Sequence, residues 1–337
     1  MILFDIFVCL MTKKVSLKKG KNLPLVSVII PAHNAGKFIT ETIESILRQT
    51  YKNLELMIVN DGSTDNTADV IKQFLKKDKR VCWISYQMNR GESAAANLGF
   101  FVAKGDYIAR MDADDIAHPE RIAKQIDFLE KNPDYIVVGT QAHIIDGEGE
   151  IIGEKVFPTT HDEIYQSYGV LHPMLHPSIM VRRSLLPRRN KLWAEKLEPN
   201  DDYYTLFELL HRGKFANLPE KLMYYRMHEH NKSLQRIKRK FLNSIRIRFR
   251  AVKEFGYPLT VVMVVKMLAQ AAIVLTLPEF VTAGAYLWLR GMKPFDKAFP
   301  VVARWKTQLS GVLSPKNLAR YTGLTMVASL RALVSQK

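Results

Sequence analysis

Three carboxylates fall within four positions of the segment YIARMDADDIAHPER, where an apolar, strand-like run ends in Asp112, Asp114 and Asp115. Carboxylates this close repel one another unless a cation lies among them. Divalent cations such as Mg²⁺ and Mn²⁺ take oxygen ligands and often bridge carboxylates to substrate phosphates. Asp112 and Asp114 form a DxD pair whose side chains point to the same side of an extended chain. A solvated acidic turn, with Asp115 capping the next helix, is the alternative interpretation of so short a pattern.

Strand-like and helix-like segments alternate before and after these acids. The apolar runs LVSVII, LELMIVND, VCWISYQ and DYIARMD have the character of buried strands. They are followed by GKFITETIESILRQT, STDNTADVIKQFLKK, GESAAANLGFFVAKG and PERIAKQIDFLEKNP, which have helical spacing. Ser63 and Thr64 are candidate caps of the second helix, and Gly105 is expected to end the third. This alternation predicts an α/β fold with a mixed, mostly parallel sheet flanked by helices.

Polar residues stand where four successive strands end. These residues are Asn34, Asp61, Asn89, Arg90, Asp112, Asp114 and Asp115. In parallel sheets ligands bind beyond the carboxyl ends of the strands. Turn-forming Asn and Asp would explain any one of these residues but not the whole set. The chain has no P-loop pattern, and PAHNAG replaces GxGxxG after the first strand. A nucleotide would then be held by strand-end side chains, with its diphosphate on a metal ion and Asp61 accepting from the base.

Further segments follow these in a fixed order: HPSIMVRRSLL, NDDYYTLFELL and YYRMHEHNKS. Together with the preceding motifs they resemble glycosyltransferase family 2, whose catalytic domain has the GT-A fold. The resemblance covers residues 25–233 and implies transfer of a sugar from a nucleotide diphospho-sugar with inversion. Residues 1–24 would then form an N-terminal extension. Residues 234–337 would form a basic, apolar helical region.

The resemblance implies roles for individual residues. Pro31, His33 and Asn34 would line the nucleotide pocket, and Asn89, Arg90 and Gly91 would lie over the nucleotide. Asp61 would contact the base, usually uracil, so a UDP-sugar is the expected donor. Asp112 would lie near the ribose or the metal, and Asp114 would bind a divalent cation, Mn²⁺ or Mg²⁺. His228, in the pattern YRxH, would lie near the diphosphate or the metal.

An inverting transfer needs one general base to take the proton from the acceptor hydroxyl. The family's base belongs to a Glu-Asp pair that opens a helix, and Asp201 and Asp202 occupy that position here. The resemblance assigns the base to Asp202, with Asp201 as the second candidate. Favourable interaction with the helix dipole is the alternative role for both acids. His176 matches a position near the acceptor, and packing beneath Pro177 is its alternative.

The charge of the chain is concentrated at its end. Of the net charge of +16, most lies after residue 234, where the chain has 18 Lys and Arg but only three acids. In RIKRKFLNSIRIRFRAVKEFGY an apolar stripe of Ile237, Phe241, Ile245, Phe249 and Val252 runs between basic residues. This pattern is typical of helices that lie on anionic membranes.

The apolar segment 259–289 follows this stripe. It could be a transmembrane helix, a re-entrant hairpin, a pair of half-sunken helices or a soluble helical cap. We expect monotopic attachment of residues 235–290 to the cytoplasmic face of the membrane. The apolar start of the chain, interrupted by Asp5, is too short to span a bilayer.

These expectations define the function that the sequence predicts. A glycan or a lipid-linked molecule would accept the sugar in cell-surface polysaccharide or glycolipid synthesis. Arg304-Trp305 lacks the Gln of the QxxRW pattern of processive synthases, because Val301 stands in that place, so a single sugar is expected. The rival interpretations are a non-catalytic nucleotide-sugar-binding relic and a basic nucleic-acid-binding protein. The tail interleaves basic residues with aliphatic runs rather than aromatic platforms, so nucleic acid is not an expected partner. Cys9 and Cys82 form no zinc-binding pattern.

Overall fold

The computed structural model describes residues 23–186, 191–195, 199–228 and 236–277, together with the backbone of 6–8. The strands are β1 (Ile6–Val8), β2 (Val26–Ala32), β3 (Leu54–Asp61), β4 (Val81–Tyr86), β5 (Tyr107–Arg110), β6 (Ile116–Ala117), β7 (Tyr135–Ile145), β8 (Ile151–Lys155), β9 (Met180–Arg182) and β10 (Lys214–Arg226). The helices are α1 (Ile39–Leu47), α2 (Thr67–Lys77), α3 (Glu92–Val102), α4 (Arg121–Lys131), α5 (His161–Tyr168), α6 (Asp201–Leu210), α7 (Ile237–Phe255) and α8 (Val261–Thr276). The sequence-predicted alternation of strands and helices is therefore confirmed.

One sheet carries all of these strands, in the order β1-β4-β3-β2-β5-β9-β7-β10-β6, with β8 paired to β7. The four central strands β4, β3, β2 and β5 are parallel, and so are β7 and β10. β9 runs antiparallel between β5 and β7 and joins the two parallel groups. The carboxyl ends of β3, β2 and β5 therefore lie side by side, which brings the predicted polar strand ends to one edge.

Helices cover both faces of the sheet. Ile39, Ile71 and Ile122, from α1, α2 and α4, belong to the apolar core on one face. Phe100 and Phe207, from α3 and α6, belong to the core on the other. β2 and β3 read as nearly continuous apolar runs because each is buried on both faces. This two-sided burial fixes the strand ends that carry the polar residues.

Three local predictions were wrong. Ser63 and Thr64 do not cap α2, which begins at Thr67 after Asn66, and the Ser63 hydroxyl instead accepts from the Asn34 N–H. Asp115 does not cap α4, whose first residue is Arg121 and whose N-terminus has no side-chain cap. α3 ends at Val102, three residues before Gly105. Tertiary contacts take the polar groups of Ser63, Thr64 and Asp115, and the Gly105 N–H donates to the Ser27 hydroxyl.

The C-terminal helices α7 and α8 combine a packed face with an exposed apolar one. α7 packs through Ile247 and Ala251, while Phe249 is 56% exposed. α8 packs through Met263 and Met267 and exposes much of its remaining apolar surface. No helix in the described part of the chain is long and apolar enough to cross a membrane. The predicted segment 259–289 is described only to residue 277, and its remainder lies outside the described residues, as do Arg304 and Trp305.

Candidate active site

The loop after β2 is tied to the loop after β3. His33 Nδ1 lies 2.8 Å from the Asp61 carbonyl oxygen. Asn34 has a left-handed φ of 50°, a conformation that Asn tolerates better than most residues. Its side-chain oxygen accepts from the Thr64 N–H at 2.8 Å. Pro31 lies in the buried last part of β2. The predicted nucleotide-side residues Pro31, His33 and Asn34 therefore form one rigid rim beside the end of β3.

Asp61 organises the loop that precedes α3. Its buried carboxylate accepts from the backbone N–H of Arg90 at 2.7 Å and of Gly91 at 3.0 Å. The Asn89 side chain also accepts from the Gly91 N–H, and Gly91 has a φ of 95° that favours glycine. The Arg90 guanidinium lies 5.0 Å from the centre of the Tyr86 ring. A carboxylate has more than two acceptor sites, so Asp61 retains capacity for a base N–H while it fixes this loop.

Asp112 is held by a buried arginine on the strand before it. Arg110 is 1% exposed, and its Nη2 lies 3.0 Å from Asp112 Oδ1 and 2.6 Å from Glu92 Oε1. Its Nη1 donates to the Met111 carbonyl at 2.7 Å. A buried guanidinium needs such anionic partners to offset its desolvation. Arg110 therefore fixes the first acid of the DxD pair and neutralises part of its charge.

Asp114 meets His228 at the edge of the site. The two side chains approach to 2.9 Å between Asp114 Oδ2 and His228 Nε2, although they are 114 positions apart in the sequence. The His228 ring also packs on Phe38, with 5.2 Å between ring centroids. Asp114 and His228 are 27% and 21% exposed, so both remain open to a ligand. The structure thus brings together two of the three predicted metal ligands.

This pair fits a divalent cation. The 2.9 Å separation is that of a hydrogen bond between the two side chains. Adjacent ligands of an octahedral ion at roughly 2.0–2.1 Å lie about as far apart, so both atoms could reach one ion that replaces this bond. Carboxylate oxygen suits Mg²⁺ or Mn²⁺, and an imidazole nitrogen favours a transition ion such as Mn²⁺. No group of three or more His, Cys, Asp or Glu able to hold a metal occurs among the described residues. Substrate phosphate oxygens and water would therefore have to complete the coordination.

Asp115 and Arg226 hold the DxD turn in place through buried hydrogen bonds. Asp115 is fully buried, and its Oδ1 accepts from the Arg226 N–H at 2.8 Å. Burial, Asp114 and Asp112 together raise the pKa of Asp115 well above its usual value. The Arg226 Nε donates to the Asp114 carbonyl at 2.9 Å, and its Nη2 lies 2.5 Å from Glu41. Arg226 therefore links the DxD turn to α1 and to the strand that leads to His228.

Asp202 lies in the first turn of α6 and faces two histidines. Its Oδ2 is 3.4 Å from His172 Nε2, and its Oδ1 accepts from the Tyr203 N–H at 2.8 Å. Burial alone would raise the pKa of Asp202. The interaction with His172, the charge that His176 carries once it is protonated in acid, and the Tyr203 N–H outweigh that effect and hold the pKa of Asp202 well below its usual range. Asp202 is therefore ionised at neutral pH, the state that a general base requires.

Two consecutive residues at the start of α3 connect the region of Asp112 with the start of α6. Glu92 pairs with Arg110, which holds Asp112. Ser93 donates to the Asp201 carboxylate, next to Asp202. Asp201 also accepts from the Asp202 N–H at 3.1 Å. The structure thus links Asp112, which follows β5, and Asp201 of α6 through the first turn of α3.

His176 is buried against an indole. The Trp193 Nε1–H donates to His176 Nε2 at 3.0 Å, so this nitrogen is an acceptor. Burial lowers the pKa of His176 to about 4. Asn97 holds the same loop by accepting from the N–H groups of Leu192 and Trp193. These contacts favour the packing role that was the alternative for His176.

The family model described as Glycosyl transferase family 2 matches residues 27–188. An uncharacterized glycosyltransferase of Haemophilus influenzae is 38% identical over 255 residues, which cover 69% of this chain and 79% of that protein. The chain belongs to glycosyltransferase family 2. A second relative of this family 2 glycosyltransferase, from Methanocaldococcus jannaschii, is 36% identical over 225 residues, covering 66% of this chain and 77% of the relative.

Solved structures share the fold of this family 2 glycosyltransferase. The mannosyltransferase PcManGT of Pyrobaculum calidifontis, in complex with GDP-Man and Mn²⁺, aligns with a TM-score of 0.57 at 18% identity, covering 89% of this chain and 83% of that one. TarS of S. aureus in complex with UDP-GlcNAc also gives a TM-score of 0.57 at 18% identity, covering 79% and 81%. The GT-A fold expected from the sequence is confirmed by these neighbours.

Four side chains of the site of this glycosyltransferase were not predicted from the sequence. They are Glu92, Arg110, His172 and Arg226. Arg110 and Arg226 end apolar strand runs, where a buried guanidinium needs hydrogen-bond acceptors or an anionic partner. That signal was available in the sequence. His172 had no comparable signal, because its partner Asp202 is 30 positions away in a different element.

Proposed function

We propose that this glycosyltransferase moves one sugar from a nucleotide diphospho-sugar to an acceptor hydroxyl in a single inverting displacement. The observation that carries the proposal is a chain of contacts through the start of α3. Glu92 pairs with Arg110, which holds Asp112, and Ser93 donates to Asp201. It supports a donor at the ends of the central strands, connected through α3 to one ionised carboxylate, Asp202, next to Asp201. One base opposite a leaving group is the arrangement that inversion requires.

The donor side of the site, formed by the DxD turn and His228, would bind the diphosphate that leaves with the nucleotide. A divalent cation on Asp114 and His228 would neutralise the charge that develops on the diphosphate. Asp112, fixed by Arg110, lies two positions before Asp114 and would bind either the ribose or the cation. Phe38 supports the His228 ring and limits its rotation. The mannosyltransferase in complex with GDP-Man and Mn²⁺ supports a metal-assisted reaction in this fold.

The nucleotide would lie over the rim formed by the loops after β2, β3 and β4. Asp61 fixes Arg90 and Gly91 through their N–H groups, so the loop that covers the nucleotide is preorganised. Remaining acceptor capacity on Asp61 suits the imide N–H of uracil. TarS in complex with UDP-GlcNAc shows that a GT-A protein of similar fold takes a UDP-sugar. We therefore propose a UDP-sugar as the donor.

The C-terminal helices support an acceptor at the membrane. Residues 236–277 contain nine Lys or Arg against one acid, Glu254. α8 exposes Val261, Val265 and Leu268 to 79%, 58% and 62%, and such contiguous apolar exposure marks interaction surfaces. Basic charge beside an apolar face fits an anionic lipid surface. We propose that the enzyme lies on the cytoplasmic face of the membrane and glycosylates a glycan or lipid-linked acceptor in polysaccharide or glycolipid synthesis.

The donor can be identified by measuring thermal unfolding with a panel of nucleotide sugars, each with Mn²⁺, with Mg²⁺ and with EDTA. The proposal predicts a selective, metal-dependent rise in Tm with one UDP-sugar, because ligands that bind the native state stabilise it. Transfer of that sugar to a lipid-linked acceptor should then be detected by mass spectrometry. A panel in which no nucleotide sugar raises Tm with either metal would contradict the proposal.

A further inference from the structure

Arg248 of α7 is a buried arginine on the packed side of its helix. It is 4% exposed, whereas its neighbour Arg246, two positions earlier, is exposed to solvent. The Arg248 Nε donates to the Tyr203 hydroxyl at 3.1 Å, and its Nη2 donates to the Val170 carbonyl at 2.6 Å. Its guanidinium therefore joins α7 to two different elements at once.

Both of these elements lead directly to the proposed base. Tyr203 is the residue after Asp202, and its N–H donates to the Asp202 carboxylate. Val170 lies two positions before His172, whose Nε2 is 3.4 Å from the same carboxylate. The Tyr203 hydroxyl in turn donates to the Tyr168 carbonyl. Arg248 and Tyr203 thus fix the carbonyl groups of residues 170 and 168, which lie in the turn just before His172.

We propose that Arg248 is a positioning residue for catalysis: it holds His172 against Asp202 and so makes the C-terminal helix α7 part of the active site. This inference rests on the proposed role of Asp202 as base. It extends that role to a residue 46 positions later in the sequence, in a region whose composition points to the membrane.

The contacts of Arg248 argue against a role in stability alone. Arg248 Nη1 is buried and has no hydrogen-bond partner among the described residues. Within the described residues, no salt bridge to a carboxylate offsets the burial of the guanidinium. Burying a guanidinium without a counterion opposes folding, so Arg248→Met removes this cost together with the hydrogen bonds to Tyr203 and Val170. α7 also keeps its apolar contacts through Ile247 and Ala251 without the guanidinium.

The test compares Arg248→Met with Arg246→Met, a matched substitution on the exposed side of the same helix. Transfer rates and donor affinity are measured separately, with donor affinity determined by calorimetry in the presence of Mn²⁺. We expect Arg248→Met to lower kcat by roughly 10- to 100-fold, because a small displacement of a catalytic group is costly. Donor Kd should change by less than about twofold, since the donor side does not contact Arg248. Arg246→Met should retain the wild-type kcat.

Two further variants keep the test decisive. Tyr203→Phe removes the hydroxyl that Arg248 contacts and should lower kcat in the same way, even if Arg248→Met does not fold. Arg248→Lys, which can keep only one of the two contacts, should give an intermediate kcat. If folded Arg248→Met and Tyr203→Phe both transfer sugar at the rate of Arg246→Met, the inference is overturned. Asp202→Asn in the same assay separates this failure from a failure of the base assignment, which would appear as full activity of that variant.

Discussion

Asp114 Oδ2 and His228 Nε2 lie 2.9 Å apart, although one residue follows β5 and the other follows β10. β5 and β10 are not neighbours in the sheet, but β6, which follows the DxD turn, pairs with β10, and Arg226 bonds to the same turn. The two side chains are within hydrogen-bonding distance, and both could reach one small cation. The donor side of the site is therefore assembled by contacts between distant parts of the chain.

Loss of either member of this pair should weaken metal-dependent donor binding. We expect Asp114→Asn and His228→Gln each to raise the donor Kd in Mn²⁺ by roughly tenfold or more, because a metal ligand is removed. Titration calorimetry with and without EDTA measures the effect. Asp106→Asn, at the opposite end of β5, is the control and should bind like the wild type. Equal donor Kd values with Mn²⁺ and with EDTA in the wild type would contradict a metal role.

Arg226 should contribute strongly to stability. Its buried guanidinium donates to the carbonyl groups of Asp114 and Asp146, and it pairs with Glu41, whose side chain is 56% exposed. Arg226→Met leaves the two carbonyl groups without this donor, so we expect the free energy of unfolding to fall by about 3 kcal/mol. Lys221→Met on the same strand removes only a partly exposed ion pair with Glu154 and should cost less than about 1 kcal/mol. Urea unfolding monitored by circular dichroism compares the two, and equal losses would argue against this assignment.

His176 should make the protein less stable in mild acid. Burial lowers the pKa of His176 in the folded state to about 4, below its usual value of 6.5. The unfolded chain therefore binds a proton that the folded chain excludes, so stability decreases as the pH falls from 6.5 toward 4. The loss amounts to about 3 kcal/mol over this window. Asp202, whose pKa is depressed, loses its contribution only at still lower pH.

Urea unfolding at several pH values between 7.5 and 4.5 measures this dependence. His176→Gln cannot take up the proton, and its amide oxygen can still accept from the Trp193 indole. The variant should therefore show a flatter pH dependence than the wild type. An unchanged slope in His176→Gln would mean that another group causes the acid sensitivity.

The apolar face of α8 should be needed for lipid binding. We expect Val265→Glu with Leu268→Glu to reduce flotation with vesicles that contain anionic lipid by at least about tenfold, because each apolar side chain contributes roughly 1.5–3 kcal/mol when buried. Val156→Glu, at an equally exposed apolar residue on the catalytic domain, is the control and should bind like the wild type. Binding to nucleic acid without binding to vesicles, or self-association through α8 instead, would contradict the proposed lipid contact.

The fold was predictable because its signals are local. Continuous apolar runs such as LELMIVND and the helical spacing of Ile39, Ile43 and Ile46 follow directly from burial on one or two faces. The DxD pair and the acids of α6 were found because their types are unusual at strand and helix ends. Their order along the chain also matched a known family.

The contacts that join these parts were not predictable in the same way. Asp115 has the sequence context of a helix cap, yet it is fully buried and bonded to Arg226, 111 positions later. Arg248 lies in a basic amphipathic pattern that predicts solvent exposure, yet it points into the core beside Tyr203. Pairing over such distances depends on which strands become neighbours, and no local period encodes that information.

The assignment of Asp202 as general base is tested most directly by the single-turnover transfer rate of Asp202→Asn beside Asp201→Asn. Asn retains the size of Asp but cannot accept the acceptor proton, so Asp202→Asn should transfer at least about 1,000-fold more slowly with an unchanged donor Kd. Asp201→Asn removes the carboxylate that accepts from Ser93, and its transfer rate should fall by less than about tenfold. Near-wild-type transfer by Asp202→Asn, or the reverse ranking of the two variants, would contradict the proposed mechanism.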